Sequence, residues 1–200
     1  MKTLFRRAGL AALALALSAC GDSTASNEPD KDYVEFSYAG SRSGSFRAHG
    51  EFRNYKDSPS TFAAAYQSDS TLVVFGYHAT GSNLGDVFII HVKSARGSRS
   101  CFAGSCTVVS FFRKDERVDT KAYAAEFFGL EGTTSITELT PGRARGTFAT
   151  ALRNTGTQEM LETRSGSFDV AILPKETILG PSNQLTAEAV MRLRSRHVPR

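Results

Sequence analysis

Thr71-Leu-Val-Val-Phe-Gly-Tyr-His78 and Asp86-Val-Phe-Ile-Ile-His-Val-Lys93 are the two segments that decide the fold class. Each is rich in β-branched and aromatic residues, which favour strands. Each is also apolar at consecutive positions rather than at alternating ones. The turn-forming stretch Gly81-Ser-Asn-Leu-Gly85 separates them. We therefore predict two central strands that are buried on both faces.

Short β-prone segments continue on both sides of this pair and alternate with Gly-, Pro- and Asp-containing turns, as in an all-β protein. The spacing predicts a single antiparallel β-sandwich or β-barrel of about ten short strands. In addition to 71–78 and 86–93, the predicted strands are 33–39, 45–53, 61–66, 107–112, 121–128, 133–139, 143–152 and 167–173.

A short pattern of Gly, a small hydroxyl residue and Phe occurs three times, at Gly44-Ser45-Phe46, Gly146-Thr147-Phe148 and Gly166-Ser167-Phe168. One interpretation is a repeated ligand loop. The other is a strand that begins after a Gly bend, with Phe as its first core residue. We favour the second, because the pattern is too short to define a repeat. It also predicts that 143–152 and 167–173 form a hairpin.

The N-terminus has the order of features found in export signals. A basic segment, Met1 to Arg7, precedes a twelve-residue apolar run that is too short to span a bilayer. The run ends in Leu17-Ser-Ala-Cys20, which resembles the lipobox of bacterial lipoproteins. The alternative is an ordinary signal peptide with a chance Cys.

The lipobox resemblance implies diacylglycerol and usually a further acyl chain such as palmitate on Cys20, and thus an anchor in the bacterial cell envelope. Gly21 in place of Asp after that Cys implies the outer membrane, with the protein facing the periplasm or the surface. The predicted organisation is a signal peptide (1–19), a lipidated Cys and flexible tether (20–32), a β domain (33–182) and a basic tail (183–200).

Two cysteines remain when Cys20 is set aside, Cys101 and Cys106. Export places them in an oxidising compartment, so we predict a disulfide that closes a tight loop. A redox or metal pair is the alternative, but the spacing matches neither a C-x-x-C motif nor a zinc pattern.

A second resemblance lies in the last third of the β domain. Ile136-Thr-Glu-Leu139, Arg145-Gly-Thr-Phe148 and Ser165-Gly-Ser-Phe-Asp-Val170 are similar to the C-terminal signature of a group of uncharacterised β-rich bacterial lipoproteins. The resemblance implies a β architecture and no particular activity.

Most of the positive charge belongs to the two ends of the chain. The formal net charge is +4, of which the signal segment holds three and the last eighteen residues hold another three, so the intervening body is at −2. We therefore predict no nucleic-acid partner. Leu185–Arg194 contains good helix formers and predicts a short C-terminal helix. The tail arginines Arg192, Arg194 and Arg196 could contact anionic lipid headgroups. The alternative is a tail with no partner.

No catalytic or cofactor motif occurs in the chain, so we predict no enzyme and no cofactor. His78 and His91 would meet if 79–85 closes a hairpin, but a metal site would need a third ligand such as His49 or Asp86, and we predict none. We expect a non-catalytic binding or structural module. The alternatives are a carrier of an apolar ligand inside a β-barrel and a hydrolase with an unrecognised site.

Overall fold

Ten antiparallel β-strands and one short helix make up the computed structural model, which describes residues 32–53, 60–79, 85–102, 107–113, 125–154 and 156–179. The predicted all-β fold class is thereby confirmed. The elements are β1 (Tyr33–Gly40), β2 (Gly44–His49), β3 (Thr61–Ser68), β4 (Thr71–Ala79), β5 (Gly85–Lys93), β6 (Gly97–Phe102), β7 (Thr107–Arg113), β8 (Ala125–Leu139), β9 (Arg143–Asn154), β10 (Met160–Ala171) and α1 (Lys175–Leu179).

The strands form one sheet whose two ends meet. Its order is β2-β1-β10-β9-β8-β7-β5-β4-β3, and β6 pairs with β8 beside this path. Just after β2, Glu51 forms a parallel bridge to Ala63 of β3, and Ile172 after β10 forms another to Ala65. The backbone bonds from Ala63 N–H to Gly50 O and from Leu173 N–H to Ala65 O belong to the same junction. The two ends of the sheet therefore meet through isolated bridges, without a continuous ladder between β2 and β3.

Strand boundaries differ from the prediction in several places, and β2 ends at His49 instead of residue 53. The described part of the predicted strand 121–128, from Ala125 onward, and the predicted strand 133–139 are one strand, β8, because a register shift between Gly129 and Glu131 absorbs the irregularity while pairing to β9 continues. Strand β6 was not predicted, since its polar sequence GSRSCF has no apolar alternation. It forms because β8 supplies a partner, including a bond from Ser98 Oγ to Ser135 Oγ. Strand β10 begins at Met160, and its pairing with β9 confirms the predicted hairpin.

Aromatic rings fill the interior of the sheet. Phe36 lies at the centre, with ring centroids 4.5 to 6.1 Å from those of five neighbours. Phe88 stacks on Phe148 at 4.9 Å, and Phe111 contacts Phe127 at 6.4 Å. These spacings are typical of directly packed rings, so side chains occupy this part of the interior.

The outer face of β3, β4 and β5 is also buried. Leu72 and Val74 of β4 point into the interior, whereas Val73 and Phe75 belong to a second apolar cluster on the outer face. Ile178 and Leu179 of α1 join that cluster. The prediction that β4 and β5 are buried on both faces is therefore confirmed. The helix predicted over 185–194 lies outside the described residues.

Candidate functional site

A groove of about 850 Å³ lies on the outer face of the sheet, across β2, β1, β10, β9 and β8. We call it the hydroxyl groove, because seven of its side chains carry a hydroxyl and three are charged. The hydroxyl residues are Ser37, Ser45, Thr133, Ser135, Thr147, Ser165 and Ser167, and the charged residues are Glu35, Arg47 and Arg164. All ten are exposed or partly exposed.

Strand register arranges these side chains in rows. Ser135 is paired with Thr147, Thr147 with Ser167, and Ser167 with Glu35. Glu35 is in turn paired with Arg47, which completes one row across five strands. Neighbours in such a row are separated by the interstrand distance of about 4.8 Å. The groove thus presents polar groups at a regular spacing.

The repeated Gly-hydroxyl-Phe pattern builds this floor. Gly146 is paired with Phe168, and Gly166 with Phe148, so each ring covers the glycine on the other strand. A Cβ on Gly166 would lie 2.3 Å from the Phe148 ring. Because side chains alternate along a strand, the intervening Thr147 and Ser167 point outward into the groove. Gly44 is likewise covered by an aromatic ring, because Tyr38 is paired with it on the neighbouring strand.

The three Phe residues of this pattern are buried core residues, as expected, with Phe46 2%, Phe148 3% and Phe168 0% exposed. The expectation that a strand begins after each glycine is wrong at two positions, because Gly146 and Gly166 lie inside β9 and β10. The glycines are needed for the approach of the rings, not for a bend. The hydroxyl residues, to which no role had been assigned, all line the groove.

A bulge in β10 brings Arg164 into the groove. Thr163 pairs with Thr150 and Gly166 with Phe148, so Arg164 and Ser165 together oppose the single residue Ala149. The extra residue breaks the alternation, and Arg164 and Ser165 are consecutive exposed residues. Bulges of this kind bend a strand and redirect a side chain. Arg164 thereby stands among the hydroxyls.

The opposite side of the groove carries a small charged cluster. Arg47 Nε lies 3.3 Å from Glu35 Oε2 and donates a hydrogen bond of 2.6 Å to His49 Nε2. The His49 ring stacks on Tyr33 with centroids 5.8 Å apart. Partial burial, together with the neighbouring Arg47 charge, lowers the pKa of His49 below its usual value of 6.5. The Arg47 charge is thus already paired with Glu35.

A partly buried ion network lies at the end of the sheet beside the groove. Asp169 Oδ2 accepts a hydrogen bond of 2.6 Å from Arg145 Nε, and Asp169 Oδ1 forms an ion pair with Arg143 Nε at 2.5 Å. Arg143 Nη1 also lies 3.3 Å from Asp32, whose Oδ1 accepts a bond of 3.0 Å from the Ala171 N–H. Burial raises the pKa of Asp32 above its usual 3.8, against the lowering effects of this bond and of Arg143. The network ties the start of the domain to β9 and β10.

The carboxylates of Asp169 and Glu138 both contact Arg145. Arg145 lies between them, with Nη1 3.4 Å from Glu138 Oε2 and Nη2 2.6 Å from Asp169 Oδ2. A guanidinium that lies between two carboxyl groups contacts each of them and holds them apart. This cluster is therefore structural.

His78 and His91 do not meet across the β4–β5 hairpin as a metal site would require. The hairpin between β4 and β5 forms, but it pairs His78 with Asp86 and His91 with Val73. By alternation, His78 is on the same face of β4 as the interior residues Leu72 and Val74. His91 lies between the interior residues Ile90 and Val92 and therefore points outward. Burial lowers the pKa of His91 below 6.5. Among the described residues, no three potential ligands are close enough to hold a metal ion.

Other predicted sites are not tested by the structure. Cys20, Cys106, Arg192, Arg194 and Arg196 lie outside the described residues. Cys101 is placed in β6, so its predicted disulfide with Cys106 stays a prediction. No helix in the described part of the chain has the length and apolar character needed to cross a bilayer.

No protein-family model matches the chain, and no curated protein or solved structure is significantly similar to it.

Proposed function

We propose that the chain is a non-enzymatic binding module, held in a bacterial cell envelope by lipid on Cys20, and that the hydroxyl groove is its binding surface. The observation that carries the proposal is the concentration of seven hydroxyl side chains and two arginines in one concavity. Its volume of about 850 Å³ is within the range of ligand-binding clefts, roughly 300–1,000 Å³. Its hydroxyl groups can recognise a ligand by hydrogen bonds, and most of the accessible surface between them is apolar.

The anchoring part of the proposal rests on the lipobox-like Leu17-Ser-Ala-Cys20 and the apolar run before it. Acyl chains on this cysteine would hold the domain beside the bilayer through the polar segment 21–32. Gly21, in place of Asp after Cys20, also favours an outer-membrane position in which the protein faces the periplasm or the surface. An oxidising location further favours the disulfide between Cys101 and Cys106.

Packing of the interior favours a surface site over an internal apolar carrier site. Phe36, Phe88 and Phe148 are in ring contact and no more than 3% exposed. An apolar ligand would have to displace rings that already pack against one another. The outer groove requires no such rearrangement, which makes it the better candidate.

Removal of the lipidated cysteine tests the anchor. We expect Cys20→Ser to abolish association of the protein with membranes that have been washed free of other envelope material, because two or three acyl chains supply the binding energy to the bilayer. Fractionation and immunoblotting measure this, and Cys101→Ser serves as the control that keeps the anchor. Retention of the Cys20→Ser protein in membranes washed free of other envelope material would contradict the proposal.

Obstruction of the groove tests the binding surface. In the unlipidated Cys20→Ser chain, Thr147→Tyr places a ring in the central row while keeping a residue that favours strands. We expect the unblocked chain to sediment with purified cell envelopes and the blocked chain to lose at least nine-tenths of that binding.

The matched control is Arg153→Tyr, the same new side chain at an exposed position of β9 outside the groove. This control should sediment like the unblocked chain, and circular dichroism should give the same spectrum for all three. Equal envelope binding by the Thr147→Tyr and Arg153→Tyr proteins would show that the groove is not the binding surface.

A further inference from the structure

We infer that the hydroxyl groove binds an extended acidic oligosaccharide, with sugar hydroxyls on the Ser/Thr rows and a sugar carboxylate on Arg164. This inference rests on the proposed function, since it names the class of ligand for the same groove. Three features of the described residues carry it: the chemistry of the floor, the pairing of the strands beneath it and the position of Arg164.

The floor matches the hydrogen-bonding character of a glycan. A Ser or Thr hydroxyl both donates and accepts, as a sugar hydroxyl does. Ser135, Thr147 and Ser167 form a row whose steps are about 4.8 Å, close to the length of one sugar unit in an extended chain. A glycan that lies across the strands can therefore meet a hydroxyl at each successive sugar.

The three central strands beneath the groove cannot accept another strand. β1, β10 and β9 are each paired on both sides, so their backbone groups are engaged in the sheet. An extended peptide that binds by strand addition needs an unpaired edge. Recognition above these three strands must therefore use side chains.

The groove also lacks the anchors of a protein interface. Such interfaces depend on aromatic or aliphatic side chains that become buried on binding. The Phe36, Phe46 and Phe148 side chains that touch the groove from below are only 2–3% exposed. Two arginines against one glutamate are also too few for a nucleic-acid track, which neutralises many phosphates.

Arg164 supplies the preference for an acidic sugar. Arg47 is already paired with Glu35, whereas Arg164 is exposed and forms no ion pair within the described ranges. The bulge in β10 places it beside Ser165 and opposite Ala149, whose small side chain leaves room above the floor. A guanidinium binds a carboxylate through two parallel hydrogen bonds. The groove is thus complementary to a polyhydroxylated ligand that carries negative charge.

The test uses the full-length protein in detergent and calorimetric titration with defined hexamers. The acidic probes are oligogalacturonate, oligomannuronate and a hyaluronan hexasaccharide. The neutral probe is maltohexaose, and hexaglutamate is the acidic peptide. We expect at least one acidic sugar to bind tenfold or more tightly than both maltohexaose and hexaglutamate.

Two variants connect that preference to the groove. Arg164→Gln should lower the affinity for the acidic sugar at least tenfold, whereas Arg153→Gln, which changes an exposed arginine of β9 outside the groove, should leave it unchanged. Thr147→Val should lower the affinity for the same sugar at least threefold, because the Thr147 hydroxyl is lost while the shape of the side chain is kept.

Binding of hexaglutamate as tight as that of the best sugar, or an unchanged affinity in Arg164→Gln, would overturn the inference. So would the failure of all three acidic sugars to bind. If envelope binding still depends on Thr147 in that case, the groove remains the binding surface and only the ligand class is wrong. If no acidic sugar binds and envelope binding does not depend on Thr147, the proposed function is contradicted as well.

Discussion

Replacement of Phe36 by Ala should destabilise the protein by about 3–5 kcal/mol, the largest effect expected of any single core substitution considered for this fold. The ring of Phe36 is in contact with five aromatic neighbours, at centroid distances of 4.5 to 6.1 Å. These neighbours come from β1, β2, β5, β7 and β9, so they cannot move together to fill the space. The cavity would therefore remain, and its cost adds to the lost burial of the ring.

Urea unfolding followed by circular dichroism gives the free energy of unfolding. The matched control is Ser37→Ala on the next residue of the same strand, which is exposed and should change stability by no more than about 0.5 kcal/mol. Phe36→Leu should fall between the two, because it keeps most of the apolar volume. A loss below about 1 kcal/mol for Phe36→Ala would mean that the interior is not filled as described.

Replacement of Gly166 by Ala should cost about 1–3 kcal/mol, although Ala is only one carbon larger. The added Cβ would lie 2.3 Å from two atoms of the Phe148 ring. That ring has Phe36 and Phe88 behind it at centroid distances of 5.7 and 4.9 Å, so it has no room to withdraw. One of the two strands must therefore shift, which also disturbs the groove floor at Ser165 and Ser167.

Gly142→Ala is the control, because no heavy atom lies within 4 Å of a Cβ built there. It should be close to neutral in the same unfolding measurement. Adding Phe148→Leu to Gly166→Ala should recover part of the loss caused by the glycine substitution, since a smaller side chain leaves space for the new methyl group. Strictly additive effects of the two substitutions would show that the Cβ and the ring do not collide.

Local sequence chemistry was sufficient for the fold class and for most strands. The apolar pair 71–78 and 86–93 was identified correctly, because unbroken runs of β-branched and aromatic residues need two buried faces. Strand β6 escaped prediction because its pairing with β8, rather than its own composition, makes it a strand. The unpredicted continuity of β8 has the same cause, since β9 pairs along almost its whole length.

The candidate site was mostly hidden in the sequence. The repeated Gly-hydroxyl-Phe pattern was visible in the sequence. Its glycines were interpreted as bends before strands, and its hydroxyl residues were given no role. Arg164, Glu35 and Arg47 carried no signal at all, because an isolated charge in a strand is ordinarily just a solvated side chain. The two histidines that did attract attention, His78 and His91, lie at different pairing positions on opposite faces of their hairpin.

The amino-acid sequence by itself determined that this chain forms strands, which of its segments are buried, and the lipobox-like start from which an anchor is inferred. Those properties depend on residues that are neighbours along the chain, through alternation, propensity and turn chemistry. Only the tertiary structure decided that the two ends of the sheet meet and that Ser135, Thr147, Ser167, Glu35 and Arg47 form one row. Register between strands distant in sequence, and a single-residue bulge at Arg164, set that arrangement, because moving either by one residue turns the side chains to the other face.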